Sequence, residues 1–343
     1  MSPILTGVDS LIWIDIVNEA NVRFWRRFLK KFRGQVFLTT RRKGSLVELL
    51  RAMIPIEAEV VGEWGASDYE KLISFAERVK ELALLIADRE VDLAVSKASV
   101  EQARVAFGLG IPYIAMNDND IPPHTVTKLT FPLSTLSIVP ECFSGPTYSE
   151  TMRFRGLFEV SHVLDFMEDG EFVKSDLGLD EGDYIVVRYP PVASHYLKEG
   201  GPFESIVEKF LREKGIRAVK IMREGIIELP SGERVSASID GISLISRSAG
   251  VISGGGTMAR EAALLGVPSI SLFPGEDPCV SKILLSEGLM RKVTDMKASD
   301  LPSVYDELRK EWESERLRER AREFLRGCED PAEVLVRVIR SRS

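Results

Sequence analysis

Gly250-Val251-Ile252-Ser253-Gly254-Gly255-Gly256-Thr257-Met258-Ala259-Arg260-Glu261-Ala262-Ala263-Leu264-Leu265-Gly266-Val267-Pro268 is the stretch from which the fold follows. Its opening is short and apolar, as befits a strand covered on both faces. Three glycines interrupt it, and residues 257–265 then read as a helix stopped by Gly266, with Pro268 just beyond. A second apolar strand, 268–273, follows at once. The order strand, glycine loop, helix, strand is one β-α-β unit. Glycines let a ligand approach the backbone closely, and the N–H groups opening a helix favour an anion. A tight strand-to-helix turn with no ligand would use the same residues. Neither G-x-G-x-x-G nor Gly-Lys-Ser/Thr is present, so the loop is neither a dinucleotide fingerprint nor a Walker loop.

Working outward, the first half alternates apolar runs at 11–17, 35–40, 59–64, 92–96, 112–117 and 136–140 with helical patterns at 22–32, 45–53, 69–89 and 100–107. Repeated β-α units predict a parallel, doubly wound sheet. Ligands of such sheets sit at the carboxyl ends of the strands. That rule singles out Asp15, Asn18, Thr40, Ser96, Lys97, Asn117 and Asp118. An acid-rich stretch, 158–175, reads as a crossover with a short peripheral helix. A second series then predicts strands at 184–188 and 217–222 and helices at 203–214 and 239–248, reaching the glycine loop. Beyond the loop it predicts a helix at 280–287, a strand at 290–293 and one long charged helix at 301–325.

Glu261 lies five residues past the last glycine, on a small-residue helix that ends in Gly266-Val267-Pro268. That order resembles the C-terminal nucleotide-sugar site of glycosyltransferase-B-fold proteins, with UDP-N-acetylglucosamine 2-epimerases and the peptidoglycan N-acetylglucosaminyltransferase nearest in pattern. The resemblance implies that Gly254, Gly255, Gly256, Thr257 and Met258 meet the phosphates and that Glu261 holds the ribose hydroxyls. The glycine-loop stretch, Ile14-Asp15-Ile16-Val17-Asn18, and Ala103-Arg104-Val105-Ala106-Phe107-Gly108-Leu109-Gly110-Ile111-Pro112 also resemble the family catalogued as domain of unknown function 354. Nearly the whole chain is covered by that likeness. The expected fold is therefore α/β and glycosyltransferase-B-like, with two Rossmann-like doubly wound domains facing a cleft. The expected boundaries are 1–157 for an acceptor-side domain and 158–330 for a nucleotide-sugar domain, with 331–343 returning to the first. The activity implied is a glycosyltransferase using a UDP-type nucleotide-sugar in cell-surface glycan or polysaccharide assembly. An epimerase-type enzyme and a non-catalytic nucleotide-sugar-binding scaffold stay open.

Individual residues carry two readings each. Asp15 and Asn18 follow the first strand, where they would serve as a base and a substrate contact; Asn21 beside them suits a helix cap. Family members commonly carry histidine where Asn21 stands, so one candidate base is missing. Ser96 and Lys97 open a helix with Ser99, favouring an anion or a plain N-cap. Asn117 and Asp118 offer a carboxylate for base work, or simply a turn. No obligatory cofactor or metal is expected, although Mg²⁺ could be held loosely at such carboxylates. Arg188 is a candidate diphosphate partner, because guanidinium forks onto phosphate oxygens. His195 is a candidate acid or base near neutral pH. Asp240 and Ser243 would brace the glycine loop.

The strongest charge feature is the first helix. Arg23, Arg26, Arg27, Lys30, Lys31 and Arg33 interleave with Phe24, Trp25, Phe28 and Phe32, and Arg41, Arg42 and Lys43 follow, with no acid between Asn21 and Gly44. The aromatic face suits packing on the sheet. The basic face is expected to meet an anionic membrane surface or an acidic acceptor. Over 343 residues the net charge is −7, which weighs against nucleic acid. The three cysteines form no C-x-x-C pair, so no zinc pattern is present. The start lacks the basic-then-apolar pattern of a signal peptide, and no apolar run reaches the ~18–20 residues of a membrane span. A cytoplasmic protein, at most peripheral to a membrane, is expected.

Overall fold

The computed structural model describes residues 10–169, 180–190, 202–222, 226–236, 240–293 and 299–341. The chain divides into two compact units, Met1–Ser161 with Glu329–Ser343, and His162–Cys328.

In the first unit the order is β1 (Leu11–Ile16), α1 (Val22–Lys31), β2 (Gln35–Arg42), α2 (Leu46–Met53), β3 (Ala58–Glu63), α3 (Asp68–Ala87), β4 (Leu93–Lys97), α4 (Val100–Leu109), β5 (Tyr113–Met116), α5 (Thr125–Thr130), β6 (Leu136–Pro140) and β7 (Glu150–Phe154). The strands line up β3-β2-β1-β4-β5-β6-β7, all parallel. Every residue of β4, β5 and β6 is buried, while the edge strand β3 is half-open, which is the burial gradient a sheet with helices on both faces requires. Trp13, Leu82, Ile86, Ala94, Ala106 and Tyr113 fill the core on one face. Local chemistry fixes the helix ends. A capping box between Ser67 and Glu70 starts α3, and Gly110, at φ +72°, ends α4.

Helix α6 (Glu159–Asp169) begins in the first unit and leads into the second. There follow β8 (Tyr184–Arg188), α7 (Pro202–Lys214), β9 (Arg217–Ile221), β10 (Ile226–Glu228), β11 (Arg234–Ser236), α8 (Gly241–Ser246), β12 (Val251–Ser253), α9 (Thr257–Leu265), β13 (Ser269–Ser271), α10 (Cys279–Ser286), β14 (Arg291–Lys292), α11 (Leu301–Glu313) and α12 (Arg316–Arg326). The sheet order is β11-β10-β9-β8-β12-β13-β14. Its β9-β10-β11 edge is antiparallel and the remainder parallel. The last helix, α13 (Pro331–Ser341), belongs to the first unit and packs on α1.

Three expectations are corrected. Apolar runs in the sequence do not mark β7 or the β10-β11 hairpin, and both are present. The single helix expected at 301–325 is two, broken where Glu315 takes φ +60°. The basic face of α1 is not unopposed. Arg23, Arg26 and Arg27 are only 4–7% exposed. Arg27 Nε donates to Asp330 Oδ2 at 2.5 Å and Lys31 Nζ to Glu333 Oε1 at 2.7 Å, and both carboxylates stand at the start of α13. Arg26 Nε donates to the Met53 carbonyl at 3.1 Å. A segment some 300 residues away in sequence thus takes up the charge of Arg27 and Lys31. Phe24, Trp25 and Phe28 are buried; Trp25 packs edge-on with both phenylalanines, and Phe24 also packs on Phe158. No described helix is long and apolar enough to cross a membrane.

Candidate functional site

β12 ends at Ser253 on the carboxyl edge of the second sheet, where the glycine loop begins. The loop is held by its own polar groups. Ser253 Oγ accepts the Gly255 N–H at 3.1 Å and donates to the Gly255 carbonyl at 2.8 Å, while the Gly254 N–H donates to the Arg188 carbonyl at 2.9 Å. Gly256, with no side chain to offer, is the N-cap of α9; the first N–H groups of a helix have no intrahelical acceptor, and among the described residues no side chain caps this end.

None of the three glycines has a positive φ. Two are explained by packing. A Cβ on Gly254 would lie 2.8 Å from Pro190 Cδ, and one on Gly256 would strike the Arg260 guanidinium, which folds back over the loop. A Cβ on Gly255 would meet nothing nearer than Ser253 Oγ at 4.0 Å. Neither backbone conformation nor packing demands glycine there. Space beside an uncapped helix N-terminus, with a guanidinium against the same loop, is an anion cradle. Arg260 is 8% exposed, and its Nη1 donates to Ser281 Oγ at 3.3 Å.

One turn into α9, Glu261 is 7% exposed, and its Oε1 lies 2.8 Å from Nδ1 of His162 on α6, which is 1% exposed. The other ring nitrogen, Nε2, is buried with no hydrogen-bond partner among the described residues. One of the two carboxylate oxygens of Glu261 is thus engaged by the protein itself. Neither Arg260 nor His162 is among the residues that the sequence marks as site candidates. Arg260 has a signal, its four-residue helical spacing from Gly256; His162 has none, since α6 reaches Glu261 only through the tertiary fold.

The other anticipated residues have different surroundings. Arg188 donates to the carbonyls of Met222 at 2.6 Å and Ile221 at 3.3 Å. Ser243 donates to Asp240, and Gly241 beside them packs on Met258 at the head of α9. His195 lies outside the described residues.

In the first unit Asp15 is wholly buried. It takes a two-pronged bond from Arg78, at 2.7 and 3.0 Å, and hydroxyl bonds from Ser99 at 2.5 Å and Thr39 at 2.6 Å. Burial alone would raise its carboxyl, but the charge of Arg78 and these hydrogen bonds outweigh it and hold the group below its ordinary 3.8. No oxygen of Asp15 is exposed to act as a base. Ser99 also caps α4 by accepting the Gln102 N–H at 3.2 Å. Ser96 pairs with the Tyr113 hydroxyl at 2.9 Å. Lys97 donates to Asp118 at 3.3 Å and lies 4.2 Å from the centre of the Phe158 ring. Asn117 Oδ1 accepts from the N–H groups of Asp118 and Asn119, closing a turn. Asn21 makes no side-chain cap, and Asn18 Oδ1 instead accepts from Lys43 at 2.6 Å.

Comparison with known proteins places these observations in a lineage. The family model described as "Protein of unknown function (DUF354)" matches residues 10–340. The uncharacterized protein MJ0665 of Methanocaldococcus jannaschii is 32% identical over 307 residues, covering 83% of this chain and 88% of its own. Among solved structures, UDP-N-acetylglucosamine 2-epimerase of Rickettsia bellii superposes with a TM-score of 0.68 at 14% identity, over 98% of this chain and 97% of its own. The UDP-GlcNAc 2-epimerase of Methanocaldococcus jannaschii, solved in complex with UDP-GlcNAc and UDP, gives 0.67 at 13% identity, over 87% and 92%. Spinosyn forosaminyltransferase SpnP gives 0.65 at 15% identity, over 98% and 100%. At such identities the likeness concerns the fold, which is of the glycosyltransferase-B type.

Proposed function

The chain belongs to the DUF354 family, and from that premise we propose that it is a nucleotide-sugar enzyme, a glycosyltransferase that takes a UDP-sugar against the glycine loop of its second unit. The observation that carries this reading is Gly255, a glycine that neither φ nor packing requires, beside an uncapped helix N-terminus. A diphosphate there would meet the N–H groups of Gly256, Thr257 and Met258 and the charge of Arg260. Arg188, whose guanidinium faces backbone carbonyls, is not needed for that role. The remaining oxygen of Glu261 would accept from a ribose hydroxyl, and His162 would fix the carboxylate's position. Such groups are set in place before the reaction, so they stabilise the departing diphosphate without reorganisation.

The neighbouring folds that act on UDP-GlcNAc as 2-epimerases, together with the unpartnered Nε2 of His162, favour epimerisation as the second reading. Calorimetric titration with UDP tests the site. Absence of binding by any nucleoside diphosphate would sink both readings. Incubation with UDP-GlcNAc then separates them, since a transferase releases UDP when given an acceptor, whereas an epimerase yields a new UDP-sugar with the bond to UDP intact. Binding without either product would leave a sensor or scaffold.

A further inference from the structure

The carboxyl edge of the first sheet carries a second arrangement that the nucleotide site does not use. The register of β2 and β3 pairs Arg42 with Glu63, which brings the next residue of each strand, Lys43 and Trp64, side by side. Arg41 lies 4.1 Å from the centre of the Trp64 ring, Lys43 5.4 Å and Lys71 6.0 Å. Even so, Trp64 is 42% exposed.

The donors here outnumber their acceptors. Lys43 Nζ carries three N–H groups and donates one, to the neutral amide oxygen of Asn18 at 2.6 Å. Among the described residues no carboxylate forms an ion pair with it. Glu19 is near and its charge favours the ammonium, but its Oε1 accepts from the N–H of Ser45 at 2.6 Å and from the Ser45 hydroxyl at 3.0 Å, and among the described residues it forms no ion pair with Lys43. Arg41 is only 5% exposed in its side chain; it pairs with Glu101 at 2.9 Å, yet its buried Nε has no acceptor among the described residues. Burial, then the neighbouring charge of Arg41, push the Lys43 ammonium down to about 8, against the opposing pull of Glu19 and Glu101. An ammonium desolvated without a carboxylate costs stability. A ligand that brings an anion recovers it.

We propose that Lys43 and Trp64, with Arg41 behind them, form a binding site for a small anionic carbohydrate, a sugar acid or a sugar phosphate. The anion would sit on the Lys43 ammonium, and the C–H face of the sugar ring would pack on the open indole. The site lies wholly within the first unit and does not depend on the nucleotide reading, because binding to it is measurable with no nucleotide present.

Tryptophan fluorescence reports on it directly. Trp13 and Trp25 are buried, and Trp312 belongs to the other unit. The full chain is titrated at neutral pH with glucuronate, glucose 6-phosphate, glucose and inorganic phosphate, with calorimetry in parallel. Glucuronate or glucose 6-phosphate should change the emission and bind at least about tenfold more tightly than glucose, and the tighter of the two identifies the anion. Lys43→Gln should melt no lower than wild type but bind about tenfold to a hundredfold more weakly, the scale of a charged hydrogen bond. Trp64→Phe should lose the emission change and retain weakened binding by calorimetry. Affinity should fall as pH rises through about 8, with the midpoint displaced upward by ligand. The proposal is overturned if glucose binds as tightly as glucuronate and glucose 6-phosphate, or if inorganic phosphate matches glucose 6-phosphate. Unchanged affinity in Lys43→Gln, or no binding of either anionic sugar at millimolar concentration, overturns it equally. Loss of UDP binding with these results intact would instead sink the nucleotide reading alone.

Discussion

Replacing Asp15 by Asn isolates charge from shape at the centre of the first unit. The amide fits the same space, and its oxygen and NH₂ can each bond one of the two hydroxyls that now donate to Asp15, Thr39 at 2.6 Å and Ser99 at 2.5 Å. What disappears is the negative charge between the two prongs of Arg78, a guanidinium with no exposed surface, and with it one of the two guanidinium bonds, because the new NH₂ cannot accept an N–H. Removing one partner of a buried pair costs about 3–5 kcal/mol, because the other charge stays buried. Glu101 Oε2, 3.7 Å from Arg78 Nη1, offsets part of that, which favours the lower end. For a unit of this size each kcal/mol moves the melting point by about 2–4 °C, so a fall of roughly 6–12 °C is expected in the first unit's transition. The double variant Asp15→Asn/Arg78→Met should lose clearly less than the sum of its single changes. The pH dependence has a definite sign. A carboxyl held below its ordinary value contributes stability that is fully present above pH ~4 and is lost as pH falls through the lower folded value. The contrast in melting point between wild type and Asp15→Asn should accordingly shrink in acid. A variant that melts within about 1 °C of wild type yet loses catalysis would refute a structural role and restore Asp15 as a base.

Gly255→Ala should leave the melting point unchanged but weaken UDP binding measurably, whereas Gly266→Ala, at φ +67° with its Cβ 2.6 Å from Arg318 Cα, should destabilise by more than ~1–2 kcal/mol; thermal melts paired with calorimetry distinguish them. Glu261→Gln should weaken UDP about tenfold, the loss of one hydrogen bond to a charged group, and equal affinity would remove Glu261 from the site. Asp330→Asn removes the carboxylate to which Arg27, 4% exposed, donates at 2.5 Å and should cost about 1.5–3 kcal/mol, the scale of a hydrogen bond between charged groups, seen as earlier cleavage of α13 in limited proteolysis.

The regular part of the fold was legible because its strands obey a simple rule. β1, β4, β5 and β6 are apolar runs buried on both faces, and the helices between strands carry their own stop signals, such as Gly110 and Gly266. What escaped lacks such a rule. β7 is Glu-Thr-Met-Arg-Phe, an edge strand with only Phe154 buried, and its polar residues gave no apolar run to see. The β10 and β11 strands are three residues each, shorter than any periodicity can register. The break between α11 and α12 falls at Ser314-Glu315, where no glycine or proline announces it, and a glutamate carries the positive φ itself.

The sites divide along a different line. Spacing within one helix shows which residues lie near one another, so Gly256, Arg260 and Glu261 can be grouped from their spacing alone. It does not show what each face meets. Asp15 at the end of β1 looks like a rim carboxylate until α3 contributes Arg78 from 63 positions away. The basic run of α1 looks unanswered until the chain returns with Asp330 and Glu333 at α13. In both cases a charge that seemed available is neutralised by a distant partner, since burying it alone would have cost too much. The same reasoning gives Lys43 its weight. Where Arg27, Arg41 and Arg78 have acquired carboxylates through the fold, the part-buried Lys43 has an amide and an aromatic ring, and an anion for it is best sought in a ligand.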